Sequence, residues 1–175
     1  MDNICLEKYC TGCCSCLNIC SQNAINMVEN DIGTIIPRIN SGICIDCNRC
    51  KQACPQNTES VLLDPYIVFA AWAKDKADHV SSSSGGVASV FYKNIVSKYS
   101  GICVGSAFKE NLFLNYQIAE TIEDLYKFKG SKYVQSYIGN IYFRINEYLK
   151  YKPVIFIGTP CQVDGLKVYL NGNDF

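Results

Sequence analysis

Cysteine spacing constrains this chain more than any other feature of its sequence. Eight of its twelve cysteines fall into two runs with the same pattern, C-x2-C-x2-C-x3-C. The first run consists of Cys10, Cys13, Cys16 and Cys20, and the second consists of Cys44, Cys47, Cys50 and Cys54. This is the bacterial spacing for two [4Fe–4S] clusters, so the fold must gather these thiolates around two metal sites.

The ligands are predicted to be exchanged between the two runs. Three cysteines separated by two residues wrap one cluster, whereas the fourth begins a short helix and points toward the other cluster. We therefore expect cluster one to be bound by Cys10, Cys13, Cys16 and Cys54, and cluster two by Cys44, Cys47, Cys50 and Cys20. Pro55 follows the second run but Ser21 follows the first, a departure that removes a rigid exit turn and no ligand.

Two other uses of cysteine fit this pattern less well. A zinc site closes with four ligands, and two runs of four at this spacing exceed that need. A disulfide scaffold needs an oxidising compartment, and residues 1–5 lack the basic and apolar regions of a signal peptide. We therefore expect a cytoplasmic iron–sulfur protein. Its cysteine-rich part should unfold without iron, because about 60 residues bury little core.

Charge and hydropathy exclude some classes of binding partner. The formal net charge is zero, so no basic surface argues for nucleic acid. The longest apolar run, residues 66–73, is too short to span a membrane. Residues 1–60 hold four Lys and Arg against six Asp and Glu, and cluster thiolates would add negative charge. This favours a carrier that docks on a basic redox partner protein or subunit.

Apolar periodicity predicts the secondary structure. Residues 24–28 and 34–37 flank a turn and should form a hairpin over the clusters, with Ile25, Met27 and Ile36 shielding them. Further along, the predicted elements are a buried strand at 66–73, a helix at 87–98 closed by Gly101, strands at 102–108 and 113–119, a short helix from Thr121 to Gly130, a helix at 141–149, a strand at 153–158 and a last helix beginning at Pro160.

Two turns that follow the cysteine-rich part of the chain precede helices. Residues 83–86 and 158–161 contain glycine, and the free amides of such turns suit phosphate or other anions, although each signal alone is weak. A GxGxxG fingerprint is absent, so nothing indicates an ordinary nicotinamide site. Cys161, in the first turn of its helix, could be a cluster ligand, a reactive thiol or a packing residue. His79, the single histidine, is interpreted as a surface residue.

Three motifs carry a resemblance that spans nearly the whole chain. The cysteine-rich head is followed by Ser-Ser-Ser-Gly-Gly at 82–86, Gly-Ser-Lys-Tyr-Val-Gln-Ser at 130–136 and Gly-Thr-Pro-Cys-Gln at 158–162. In this order they resemble the coenzyme F-420 hydrogenase/dehydrogenase beta-subunit family. The resemblance implies an α+β fold, with a two-[4Fe–4S] ferredoxin-like domain at residues 1–62. An α/β flavin-binding-type domain, the N-terminal part of the family's domain, follows at 63–175. It is expected to be incomplete, since family members continue further.

The resemblance also implies cofactors and site residues. Its members are FAD-dependent iron–sulfur proteins, and a flavin links one-electron clusters to a small-molecule two-electron donor or acceptor. The residues implied at the flavin are Ser83, Ser84, Gly85, Gly86, Gly130, Ser131, Lys132, Tyr133, Gln135, Gly158, Thr159 and Pro160. Lys132 would face the flavin phosphates or the reduced ring, and Cys161 would lie beside the ring as the candidate catalytic residue.

The leading hypothesis is therefore an iron–sulfur flavoprotein oxidoreductase, or its electron-input half. A second hypothesis is a ferredoxin-type module that docks on a partner oxidoreductase without catalysis of its own. A third is a sensor in which labile clusters control partner binding. The two-electron substrate, F-420-like or other, cannot be read from these residues.

Overall fold

A computed structural model describes residues 3–57 and 64–171. The chain forms two compact units, each assembled from separate segments. The first unit contains residues 1–60, 135–146 and 158–175, and the second contains residues 61–134 and 147–157. The predicted domain boundary between residues 62 and 63 stays a prediction, because compactness assigns two later segments to the cysteine-rich unit.

A β-hairpin and two short helices form the cysteine-rich part of the first unit. Strands β1 (Ile25–Glu29) and β2 (Ile35–Ile39) are antiparallel, as predicted. Their turn is closed by Asn30, whose side-chain oxygen accepts hydrogen bonds from two backbone N–H groups, those of Ile32 and Thr34. Helices α1 (Ser15–Ile19) and α2 (Arg49–Gln52) follow the left-handed residues Cys14 and Asn48, one in each cysteine run.

Later segments of the chain complete the first unit. The side chain of Asn18 in α1 donates to the carbonyl of Gly139 at 2.7 Å and accepts from the N–H of Phe143 at 3.2 Å. Helix α6 (Pro160–Asn171) begins at a proline, as predicted, and packs so closely that a Cβ at Gly165 would lie 3.2 Å from the Cys13 sulfur.

The second unit is a three-stranded sheet with a helix against it. Strand β3 (Ile102–Phe108) lies in the centre, antiparallel to β4 (Leu114–Ala119) and parallel to β5 (Val154–Phe156). Helix α4 (Val87–Tyr99) supplies Tyr92, whose buried ring shares a core with Cys103, Ala119 and Leu125. Helix α5 spans Ile141–Leu149. These elements confirm the mixed helix and sheet content that was predicted.

The predicted strand at residues 66–73 is wrong. This segment belongs to neither sheet, and Tyr66, Val68, Phe69 and Trp72 are exposed, Tyr66 almost completely. Its last residue, Ala73, is buried and donates its N–H to the carbonyl of Gly85 at 2.6 Å. An apolar run becomes a buried strand only when a sheet edge pairs with it, and in the described residues none does.

Three smaller expectations also change. Helix α4 ends in a left-handed Ser100, and Gly101 follows this cap, where a Cβ would collide with the carbonyl of Pro153. The helix expected after Thr121 is a 3-10 helix, Glu123–Phe128, although Thr121 does accept the N–H of Asp124. Helix α3 (Lys76–Val80), which contains the exposed His79, forms in a predicted loop.

Candidate iron–sulfur centre

The predicted ligands of cluster one line a single cavity in the first unit, which we call cavity one. Its sulfur lining consists of Cys10, Cys13, Cys16 and Cys54 together with Cys5 and Cys14. Met27 and Pro37 of the hairpin close it with apolar surface. The space between the surrounding atoms, including the part open to solvent, is about 320 Å³. Three of the four predicted ligands are buried, and Cys10 is half-buried.

Backbone conformation shapes the loop around cavity one. Gly12 has a φ of +66°, and a Cβ there would collide with the side-chain nitrogen of Gln135 and the carbonyl of Ile35. Gln135 accepts the N–H of Ile35 at 2.7 Å and donates to the carbonyls of Ile35 and Thr11. The amide of Gln135 therefore ties the first cysteine loop to strand β2.

The predicted ligands of cluster two line a separate cavity, cavity two. Its lining includes Cys20, Cys44, Cys47 and Cys50, with no further cysteine. Ala24 donates its N–H to the Cys20 sulfur at 3.3 Å. This cavity lies nearer the surface than cavity one, because Cys47 is exposed and the side chain of the adjoining Ile45 is 62% exposed.

Burial controls the protonation of these thiols in the protein without metal. Burial raises the pKa of Cys13 to about 11, against a hydrogen bond from the N–H of Ser15 that favours the thiolate. Burial likewise raises the pKa of Cys16 well above its usual range and raises that of Cys50. Metal binding at these positions therefore displaces protons from the sulfurs.

The donor set fits cubane clusters better than single ions. In the described residues 3–57 and 64–171, no group of three or more Cys, His, Asp or Glu is arranged to hold one metal ion. A cubane places each thiolate on a different iron, so its ligands stand further apart than those of a single ion. Two cavities, each lined by three of the repeated cysteines from one run and one from the other, suit that arrangement. The apolar closure by Met27 and Ile25, which were predicted to shield the clusters, also suits it.

A third cavity lies in the second unit, where two of the three family-like motifs meet. Cavity three is lined by residues 82–89 and 128–131 together with Ala71. The N–H of Ser131 donates to the Ser83 hydroxyl at 3.0 Å, which joins the two motifs directly. Helix α4 begins at the left-handed Gly86 without a side-chain cap, so its first amides border this cavity.

The remaining residues implied for the flavin are not in the lining of cavity three. Lys132 turns back and donates to the carbonyls of Phe128 and Lys129 at 2.8 and 2.9 Å, and burial lowers the pKa of its amine. Tyr133 is 94% exposed. Gln135 binds the cysteine loop of the first unit, as described above. The last four, Gly158, Thr159, Pro160 and Cys161, also belong to the first unit.

Cys161 occupies the first turn of α6, as predicted. Its sulfur lies 3.2 Å from the hydroxyl of Thr159, and that hydroxyl donates to the side-chain oxygen of Gln162 at 2.9 Å. Gln162 is buried and also accepts the N–H of Thr159. These bonds order the turn before α6.

The sequence patterns did not predict two groups of side chains that lie at or beside the cavities. The first is Cys5 and Cys14, which complete the sulfur lining of cavity one but lie outside the repeated spacing. The second is Asp78, whose buried carboxylate pairs with Lys93 at 2.5 Å and Lys129 at 3.2 Å beside cavity three. The amine of Lys93 is the main cause of the lowered pKa of Asp78. No spacing signal marks either group.

Comparison with known proteins agrees with the cysteine geometry. Residues 9–58 match the family described as a 4Fe-4S dicluster domain. An uncharacterized polyferredoxin-like protein of Methanocaldococcus jannaschii is 34% identical over 58 residues, which cover 29% of this chain. This chain spans about a third of that relative's length, 34%. Within residues 3–57 and 64–171, no helix is both long enough and apolar enough to cross a membrane. Residues 9–58 are therefore a ferredoxin-like iron–sulfur domain with an electron-transfer function.

Proposed function

We propose that this chain is the electron-input half of an iron–sulfur flavin oxidoreductase. Cavity one would hold cluster one, cavity two would hold cluster two, and cavity three would bind FAD. The observation that carries the proposal is the division of eight cysteines between two cavities. Each cavity takes three cysteines from one run and the fourth from the other, as the two-cluster ferredoxin rule requires.

The two cavities suit different tasks in this proposal. A bound [4Fe–4S] cluster supplies one-electron chemistry, and its potential depends on solvent exposure and on hydrogen bonds to sulfur. The exposed Cys47 and Ile45 make cavity two the side on which a redox partner protein would exchange electrons. Cavity one, behind Met27 and Pro37, excludes more water, which disfavours the more negative reduced state. We therefore expect cluster two to be reduced first.

The flavin part rests on cavity three. Ser83 and Ser131 are hydrogen bonded there, and the first amides of α4 offer unpaired donors for a dinucleotide phosphate. Lys129, which reaches Asp78 and Ser81 beside the cavity, adds positive charge. A flavin would couple the clusters to a small-molecule two-electron donor or acceptor. The cytoplasmic location stays a prediction.

Anaerobic reconstitution tests the iron part of the proposal. The full chain should bind about eight irons and show two reducible [4Fe–4S] signals in EPR spectroscopy. Potentiometric titration should give two midpoints, the higher one lost when Cys47 is replaced by alanine. A reconstituted protein that holds zinc, or no metal, at these cysteines would contradict it.

A second candidate function is an electron-transfer module without flavin, and the hydrogen bonds of Lys132 favour it. The amine of Lys132 is bound to two backbone carbonyls and is therefore not available to a phosphate in this conformation. FAD titration separates the two functions. Under the flavin proposal, Ala88→Trp in the lining of cavity three should abolish FAD binding. Ser97→Trp, on the exposed surface of the same helix, should preserve it. No FAD binding by the unmodified chain would favour the second candidate and leave the clusters unaffected.

A further inference from the structure

Cavity one contains more sulfur than one cluster requires. Four cysteines suffice for a [4Fe–4S] cluster, and the lining adds Cys5 and Cys14, whereas cavity two holds only its four. The two additional thiols differ in their partners. Cys14 donates to the carbonyl of Gly12 at 3.4 Å, so a backbone group engages its thiol.

Cys5 instead faces two of the predicted ligands. Cys5, Cys54 and Cys10 line the same cavity, and Cys54 and Cys10 lie close enough to Cys5 to influence the charge of its thiol. Cys5 is half-buried.

Two anchors hold Cys5 in this position. On one side, the Asn57 side chain donates at 2.9 Å to the carbonyl of Ile4 and at 2.9 Å to that of Lys51, and the N–H of Asn57 binds the carbonyl of Cys54 at 3.0 Å. On the other side, the 3-10 helix Glu7–Tyr9 leads directly into Cys10, whose N–H binds the carbonyl of Glu7 at 3.0 Å. The chain therefore presents Cys5 to the ligand pair through ordered backbone at both ends.

We propose that Cys5 is a reserve ligand of cluster one that can take over the iron corner held by Cys54. This inference rests on the proposed function, because it presumes a cluster in cavity one. In the exchange, the iron–sulfur bond to Cys54 breaks and one to Cys5 forms. The proton of the Cys5 thiol passes to the Cys54 sulfur, so charge balances and no electron is gained or lost. Cavity two, which lacks a fifth cysteine, has no equivalent.

Iron counting on reconstituted full-length variants tests the proposal. Wild type, Cys5→Ala and Cys54→Ala should each bind about eight irons, and Cys5→Ala/Cys54→Ala should bind about four. Cys44→Ala is the matched control, since cavity two should fail to keep an intact cluster once a ligand is removed. If Cys54→Ala loses cluster one as Cys44→Ala loses cluster two, Cys5 is not a reserve ligand.

Alkylation of the loaded proteins supplies a readout that a misfolded double variant cannot disturb. Mass spectrometry should find Cys5 alkylated in the wild type and protected in Cys54→Ala, where iron occupies its sulfur. A Cys54→Ala protein that keeps two clusters while Cys5 is still alkylated would also overturn the inference. Wild type that binds no cluster at all would reject the proposed function itself, so the two failures are distinguishable.

Discussion

The two compact units are stabilised by different kinds of interaction. The second unit has a three-stranded sheet, a 13-residue helix across it and a core that includes Tyr92 and Leu125. Among the described residues of the first unit, the sheet structure is limited to a two-stranded hairpin, and five cysteines are buried. Cysteine side chains that serve as metal ligands contribute little to the stability of a hydrophobic core. One unit should therefore be stable by ordinary packing, and the other should depend on its clusters.

Iron removal should produce the largest difference between the units. Chelation at the cysteines should unfold the first unit, because its folding free energy comes largely from metal binding. Hydrogen exchange followed by mass spectrometry should show lost protection in β1 and preserved protection in β3. Equal loss in both strands would mean that the two units fold as one.

A substitution that disturbs packing in the second unit should destabilise that unit and leave the iron content unchanged. A Cβ at Gly105 in β3 would meet the Tyr92 hydroxyl, which donates to the carbonyl of Val104, and the Phe128 ring. Gly105→Ala should therefore lower the free energy of unfolding of the second unit by about 1–3 kcal/mol. Urea denaturation measures the loss, with Ser106→Ala as a control of smaller effect. Iron content should be unchanged in both, and a fall in iron would contradict the separation of the units.

The ion pairs of Asp78 should make the second unit sensitive to acid. The pKa of this carboxyl is lowered chiefly by the hydrogen bond from Lys93. In the unfolded chain the pKa of an aspartate is about 3.9. Because the pKa of Asp78 is lower than this in the folded protein, the ionised carboxylate stabilises the fold at pH values above about 3.9. This stabilisation is lost as the pH falls through the pKa of the folded protein. Because the lysines are partly exposed, Asp78→Asn should cost about 1–2 kcal/mol at pH 7.

Thermal unfolding of both proteins at pH 7 and at pH 3 or below tests this expectation. The difference between wild type and Asp78→Asn should shrink toward zero in acid. Glu147→Gln is the control, since its pair with Lys150 is exposed and should contribute at most about 0.5 kcal/mol. A difference that persists in acid would show that Asp78 acts through packing and not through its charge.

The smallest expected effect concerns Gln135, which ties the first cysteine loop to β2. Gln135→Ala leaves the N–H of Ile35 without this acceptor and should cost the first unit about 1 kcal/mol. Iron release to a chelator should accelerate severalfold. Gln117→Ala, a comparable glutamine on β4, should leave the release rate unchanged. If Gln135→Ala weakens FAD binding and leaves iron release unchanged, the flavin role implied for this residue is favoured instead.

The sequence predicted local elements well, because hairpins and amphipathic helices depend on short-range patterns. The β1–β2 hairpin, α4, the β3–β4 pair and the proline at the start of α6 are all examples. It failed at residues 66–73, where apolar composition alone does not reveal whether a sheet edge is available. Ser100 was not predicted as the cap of α4, because glycine is the usual residue at a helix end and Gly101 follows it. The glycine at position 101 is explained instead by its close packing against Pro153.

Long-range placement was harder to read. The crossed sets of four cysteines were predicted from one spacing rule, and each set lines its own cavity. Nothing in that rule places Gln135 against Thr11, or Cys5 against Cys54, since these contacts join segments up to 124 residues apart. Such contacts are fixed by how whole elements pack, which local pattern does not encode.

The first unit contains segments from both ends of the chain, so its parts are synthesised at different times during translation. The last cluster cysteine, Cys54, is translated about 110 residues before Gly165, the position at which α6 packs against Cys13. At 5–20 residues per second, that interval is roughly 5–20 seconds. During it, all eight thiols have been synthesised but the helix that covers Cys13 has not. Iron delivered during translation would therefore reach the eight thiols before α6 can pack against Cys13.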